Sequence, residues 1–180
     1  EEQRTVGDSD YKDTGTIILY NKPLWCVVSK DDPHNQTVYD LLPKDRKNKY
    51  TYIGRLDKDS HGLLVFTDIP AFVSFFSHPR YTHQKTYIIT TTTPLSWENR
   101  EKGTKGAIYY DKDTRENITL SWLSCEPYGD KKNTYKVILT SWKKRHIRRL
   151  CESLGTSILD LQRVGFWPRK LKDTIEVWDW

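Results

Sequence analysis

Apolar and polar positions along this chain alternate in short blocks, and most of those blocks have the period of a strand. Residues 16–20 form a β-type apolar run, and 25–28 form a second one after an Asn21-Lys-Pro23 interruption. Residues 50–53 read as a strand that stops at Gly54, and 63–66 as a short, continuously apolar, buried strand. The strongest strand signal is 85–93, Lys-Thr-Tyr-Ile-Ile-Thr-Thr-Thr-Thr, because β-branched side chains suit a pleated surface and crowd a helix. Residues 108–110, 118–123, 134–140 and 158–164 complete the strands, with Arg163 inside the last and a solvated hairpin turn over 112–117. Helices are fewer. Thr37 and Asp40 frame a near capping box for 38–42, with Pro43 beyond its end. Pro70 suits the first turn of a helix over 71–77, whose aromatic and aliphatic residues read as core. A helix over 94–102 is closed by Gly103. Ile147, Leu150, Cys151 and Leu154, spaced i, i+3, i+4 and i+7, mark the buried face of a helix ended by Gly155. Strands interspersed with a few helices, with no internal repeat and no regular βαβ rhythm, make an α+β fold.

Length and composition narrow the class. At 180 residues the chain suits one catalytic-size domain over 16–180, with room for two lobes, preceded by a polar tail or linker over 1–15. No apolar run approaches the roughly 18 residues of a membrane span, and there is no signal-peptide pattern, so no membrane partner is expected. Cys26, Cys125 and Cys151 are far apart and match no metal-ligand spacing, which suits reduced thiols in a cytoplasmic setting. The net charge of +5 matters less than its placement. Lys143, Lys144, Arg145, Arg148 and Arg149 make the last helix, expected over 143–154, a basic one, with no acid before Glu152. A solvated helix face is the plain account of such a run. A polyanion is the better one, since these cations repel one another until phosphates neutralise them. His34, His78 and His83 have no partner at ligand spacing and read as loop residues.

One turn concentrates candidate chemistry. Between the strands at 50–53 and 63–66 lie Arg55, Asp57, Lys58, Asp59 and His61. Charges held between two core strands are costly to keep without use, and a turn mounted on rigid strands is a usual seat of chemistry. Two other accounts fit the same residues. Asp57, Asp59, His61, Gly62 and Asp68 fall on several positions of a calcium loop, although helices should flank it. A purely structural charged turn is the other.

The ordered set of motifs resembles the pseudouridine synthases, specifically the branch that modifies ribosomal RNA. It runs Asn21-Lys-Pro23, Thr37-Val-Tyr-Asp-Leu-Leu-Pro43, Gly54-Arg-Leu-Asp57 with Gly62-Leu-Leu64, Ser77-His-Pro79, Lys85-Thr-Tyr87, Pro94-Leu-Ser96, Arg145-His-Ile-Arg-Arg149 and Leu159-Asp-Leu-Gln-Arg-Val164. The resemblance covers about residues 16–175 and implies a mixed, mostly antiparallel central sheet with flanking helices and an active-site cleft. It implies a cofactor-free, metal-free isomerisation in which uracil leaves ribose at nitrogen 1, rotates, and is rejoined through carbon 5. A uridine in a stack must be flipped out to be reached. By the family pattern Asp57 is the catalytic carboxylate, Tyr87 stacks on the flipped base, and Arg148 pairs with the Asp and keeps it ionised. Leu161 packs in the site, and Arg55 helps hold the RNA open. Lys85, Lys143, Lys144, Arg145 and Arg149 are assigned to substrate binding. The implied partner is ribosomal RNA and the implied state a monomer. The small RNA-binding module that often precedes this catalytic domain is expected to be absent. The alternative is a non-catalytic RNA-binding protein that keeps the fold, although such a descendant has no chemical reason to retain Asp57, Tyr87 and Arg148 together.

Three departures from the family pattern share one form: Trp25, Trp142 and Trp167 stand where the motifs have glycine. If glycine is there for φ > 0, tryptophan at the same position is strained. One hypothesis is a gene that reads UGA as glycine, here translated as tryptophan. The other is that Trp142, beside the basic segment, is a stacking platform for bases.

Overall fold

The computed structural model describes residues 15–78, 83–166, 169–170 and 177–178. The tail expected over 1–15 falls, but for Gly15, outside the described residues, and so does Trp167. The chain divides into two compact units, one of residues 1–81 with 171–180 and the other of residues 82–170.

In the first unit, β1 (Ile17–Lys22) lies antiparallel to β3 (His61–Thr67), and β2 (Thr51–Ile53) also pairs antiparallel with β3. A short β11 (Val177–Trp178) runs parallel to β1. Leu63, Leu64, Val65 and Phe66 are all buried, so β3 is the apolar spine of this sheet. Helix α1 (Val38–Leu41) opens with the full capping box: the Asp40 N–H donates to Thr37 Oγ1 and the Thr37 N–H donates to the Asp40 carboxylate. Its Tyr39 packs edge-on against Phe66, and the Tyr39 hydroxyl donates to Tyr50 O and accepts from the Tyr52 N–H. That buried phenol therefore fastens α1 to β2 with its polar tip satisfied. Helix α2 (Pro70–Ser77) starts on its proline, but its aromatic and aliphatic side chains are half-buried, not core as expected.

Two expectations fail around Pro23. Strand β1 runs on through Asn21 and Lys22, and no strand forms at 25–28; only a single bridge links Val27 to Thr37. The cause is local. Trp25 has a φ of 70°, and this left-handed residue turns the chain out of extended geometry.

In the second unit, β4 (Lys85–Thr91) is central, with β9 (Ile158–Phe166) on one side and β8 (Thr134–Leu139) on the other, both antiparallel. Strand β7 (Ser124–Pro127) extends the sheet beyond β8, and β10 (Arg169–Lys170) pairs with β9. Separately, β5 (Ala107–Asp111) and β6 (Glu116–Leu120) form a two-stranded ribbon. Helix α3 (Trp97–Lys105) starts later and ends later than expected, because Ser96 caps it and Gly106, at φ 114°, closes it. Gly103 instead lies inside the helix where Trp122 presses against it, leaving no room for a Cβ.

Helix α4 (His146–Ser153) buries Ile147, Leu150 and Cys151, as the spacing predicts, and Gly155 at φ 81° follows its end. It is shorter than the basic helix expected over 143–154. Arg145 is left-handed at φ 49°, so Lys143 and Lys144 precede the helix as a strap. With sheets in both units and helices beside them, the fold is α+β.

Candidate active site

The Asp57 turn is built from backbone outwards. Gly54, at φ 71°, ends β2 and lets the chain reverse. Leu56 is buried and anchors the turn, which leaves Arg55, Asp57 and Lys58 exposed. The Ser60 N–H donates to Asp57 O at 3.0 Å and closes the turn itself. Three braces then hold it against the end of β1 and the loop beyond. The buried Lys22 ammonium donates to Ser60 O at 2.7 Å and to Pro23 O at 2.9 Å. The Trp25 N–H donates to Lys58 O at 2.8 Å, and Lys58 Nζ donates to Asn35 Oδ1 at 2.7 Å. Burial lowers the Lys22 pKa, while the negative charges of Asp57 and Asp59, among others, oppose that shift and favour the ammonium. The result is an exposed Asp57 on a turn tied down by these bonds.

This geometry removes the calcium account. Strand β3, seven residues long, separates the Asp57 turn from Asp68. At about 3.3 Å per residue it spans roughly 23 Å, too far for both carboxylates to bind one ion. Asp68 accepts instead from the Thr16 N–H at 2.7 Å.

The other expected site residues lie in the second unit. Tyr87 on β4 faces Arg163 on β9, and Leu161 faces Ile89, so all four side chains share one buried face of the sheet. Arg148 sits half-buried on α4. Lys85 begins the same face of β4 but is fully buried, donating to Thr140 O at 2.8 Å with its ammonium 3.6 Å from the Trp142 ring centroid. Burial, then the neighbouring Arg163, pushes its pKa down to about 7. So placed, Lys85 supports the strand that carries Tyr87 and is not open to a phosphate. Arg149 is also engaged: it forms an ion pair with Asp111 and lies over the Tyr109 ring at 4.8 Å, clamping α4 to the ribbon. Lys143, Lys144 and Arg145 stay exposed.

The sequence profile of the RNA pseudouridylate synthase family matches residues 16–153. The chain belongs to that family. Among curated proteins it is 30% identical to ribosomal large subunit pseudouridine synthase B of Pseudomonas aeruginosa, over 84% of this chain and 39% of that one. It is also 30% identical to the protein of the same name from Buchnera aphidicola, over 90% of this chain and 64% of that one. The chain thus spans only part of the length of these relatives. A crystal structure of a pseudouridylate synthase superposes with a TM-score of 0.75 at 22% identity, over 87% of this chain and 65% of that one. The fold is therefore a pseudouridylate synthase fold.

Within that family the match takes in Asp57, Tyr87 and Arg148, and ends before Leu161. Two groups were missed from sequence. Lys22, inside Asn21-Lys-Pro23, braces the Asp57 turn, and its signal was a lysine at the end of an apolar strand. Arg163, fully buried between Lys85 and Phe166, was legible only as a charge in an apolar strand.

Proposed function

We propose that this chain isomerises a specific uridine of ribosomal RNA to pseudouridine, with Asp57 as the catalytic carboxylate. The observation that carries the reading is the exposed Asp57 side chain on a turn braced by Lys22 and by the backbone of Trp25, within the segment matched to the family. A carboxylate that must meet C1′ or its substituents has to be accessible and fixed, and this turn provides both. The names of the relatives favour large-subunit RNA as the substrate. On this reading Tyr87 stacks on the flipped uracil, Leu161 packs beside it, and Arg148 takes the part of the arginine that the family pairs with its catalytic carboxylate. Arg55 holds the opened RNA, while Lys143, Lys144 and Arg145 neutralise its phosphates. The reaction redistributes bonds within one nucleotide, so it requires no redox partner. A reduced, cytoplasmic setting and a monomeric enzyme go with this assignment.

The test is Asp57→Asn, which changes one atom group and leaves the turn intact. The variant is expected to melt like the native protein and bind ribosomal RNA, yet form no pseudouridine when the RNA is mapped after incubation. Appreciable turnover by Asp57→Asn removes the carboxylate role. A native protein that binds the RNA and modifies nothing is instead a binding protein that has kept the fold.

A further inference from the structure

Residues 142–145 are four consecutive exposed positions, one tryptophan followed by three cations. Trp142 is 43% exposed, yet its ring is held. The Lys85 ammonium lies 3.6 Å from its centroid, and the buried Phe166 ring lies against it at 5.4 Å, inclined by 43°. Phe166 is backed in turn by the stacked His83 ring at 6.3 Å and by the Arg163 guanidinium at 5.4 Å. Trp142 is not among the residues with positive φ, so the backbone accepts it without strain.

A flexible aromatic side chain gives up rotamer freedom when it captures a ligand. Here packing has already taken that freedom while leaving much of the ring in water. Folding alone does not reward that exposure. Charge indicates the occupant: Lys143, Lys144 and Arg145 follow directly, with no carboxylate in the run. An aromatic ring beside a row of cations matches a nucleotide strand, with the base on the ring and its phosphates on the cations. Paired bases in an RNA helix do not offer their faces to a protein ring, so the strand must be unpaired.

We propose that Trp142 is a stacking platform for an unpaired base of the RNA, seated on Lys85 and Phe166, with Lys143, Lys144 and Arg145 holding the adjoining phosphates. The inference rests on the RNA-modifying reading and adds to it a preference for substrate that is single-stranded beside the target.

The competing account makes Trp142 a lid over the Lys85 ammonium and nothing more. Trp142→Leu separates the two, because leucine still covers the ammonium and cannot stack. Affinity is measured by fluorescence anisotropy on a short labelled oligouridine and on a duplex of the same length. For Trp142→Leu the expected result is a loss of roughly 10-fold on the single strand, as base–aromatic stacking predicts. Affinity for the duplex should be unchanged, and so should the slope of log K against log salt, since no cation is removed. Trp142→Tyr should keep most of the single-strand affinity. A check independent of folding uses the native protein with an oligonucleotide lacking its bases, which should bind roughly 10-fold more weakly than oligouridine. Equal binding of those two oligonucleotides overturns the platform, as does an equal loss on single strand and duplex in Trp142→Leu. Glycine at 142 in the protein from its natural source, read by peptide mass spectrometry, overturns it too. Pseudouridine is scored separately. Base-dependent binding by a protein that makes none upholds the platform while the synthase reading falls.

Discussion

Replacing Trp25 with glycine is expected to stabilise this protein, against the ordinary direction of such a change. Trp25 sits at φ 70°, where the Cβ of an L-residue crowds its own carbonyl at a cost of roughly 1–2 kcal/mol. Glycine removes that cost but loosens the unfolded chain, which offsets roughly 0.4–1 kcal/mol. Little else changes. The side chain is 65% exposed, and the hydrogen bond to Lys58 O comes from the backbone N–H, which glycine retains. The central values leave a net gain of about 0.8 kcal/mol, or roughly 2–3 °C in Tm for a chain of this size. Trp25→Ala is the control, because alanine deletes the indole and keeps the Cβ. Thermal and urea unfolding of the three proteins should rank glycine above alanine by about 1 kcal/mol. If alanine matches or exceeds glycine, the backbone strain is not real and the argument fails. The two described tryptophans at motif-glycine positions thus separate, since the backbone asks for glycine at 25 and makes no such demand at 142. Peptide mass spectrometry of the natural protein should accordingly read glycine at 25 if its gene uses UGA for glycine, and tryptophan there ends that idea.

Further outcomes follow from the buried lysines. Lys22→Met deletes two hydrogen bonds from an ammonium, each worth about 1.5–3 kcal/mol, but also relieves the burial of a charge, so a net loss of about 2 kcal/mol in urea unfolding is expected. Its pseudouridine-forming rate should fall by more than about 10-fold while RNA affinity holds, since the turn is loosened and the cationic strap is untouched; a native rate sinks the bracing role. For Lys85, burial and the neighbouring Arg163 hold the folded pKa at about 7 against an ordinary 10.5. Between those values the unfolded chain binds the extra proton, so this residue makes stability rise as pH climbs from about 7 toward 10.5. Lys85→Met should remove that slope from urea midpoints measured across the range, and an unaltered slope contradicts the assignment.

What the sequence disclosed follows physical range. Strand β4 and helix α4 were legible because their signals are local: β-branched residues in one case, an i, i+3, i+4, i+7 stripe in the other. The Thr37 capping box was legible for the same reason, since all its atoms lie within four residues. Misreadings came where one residue's backbone state decided the outcome. The extended run expected at 25–28 was broken by Trp25, and the basic helix was cut back to 146 by Arg145, both at positive φ and both residue types that rarely adopt it. Gly103 was misplaced because its reason for being glycine is Trp122, nineteen positions away in sequence. At the proposed site, Asp57 and Tyr87 were singled out through motifs. Lys85 and Arg149 were assigned to substrate binding because sequence shows a charge and not the Trp142 ring, Thr140 carbonyl or Asp111 carboxylate that engages it.

The buried cations explain how such a site can be accurate. Lys22, Lys85 and Arg163 are each completely buried, an arrangement that hydrophobic side chains of similar volume could often match or better for stability. Two of them underpin elements that carry proposed site residues. Lys22 grips the turn that holds Asp57, and Lys85 lies two residues before Tyr87 on the same face of β4. Apolar packing is non-directional and would tolerate a shift of either element, whereas an ammonium bonded to a named carbonyl fixes distance and angle. Stability is therefore the wrong quantity by which to judge these lysines. If they serve placement, their methionine variants should lose far more rate than their unfolding free energies imply. If they serve only folding, rate and stability should fall together.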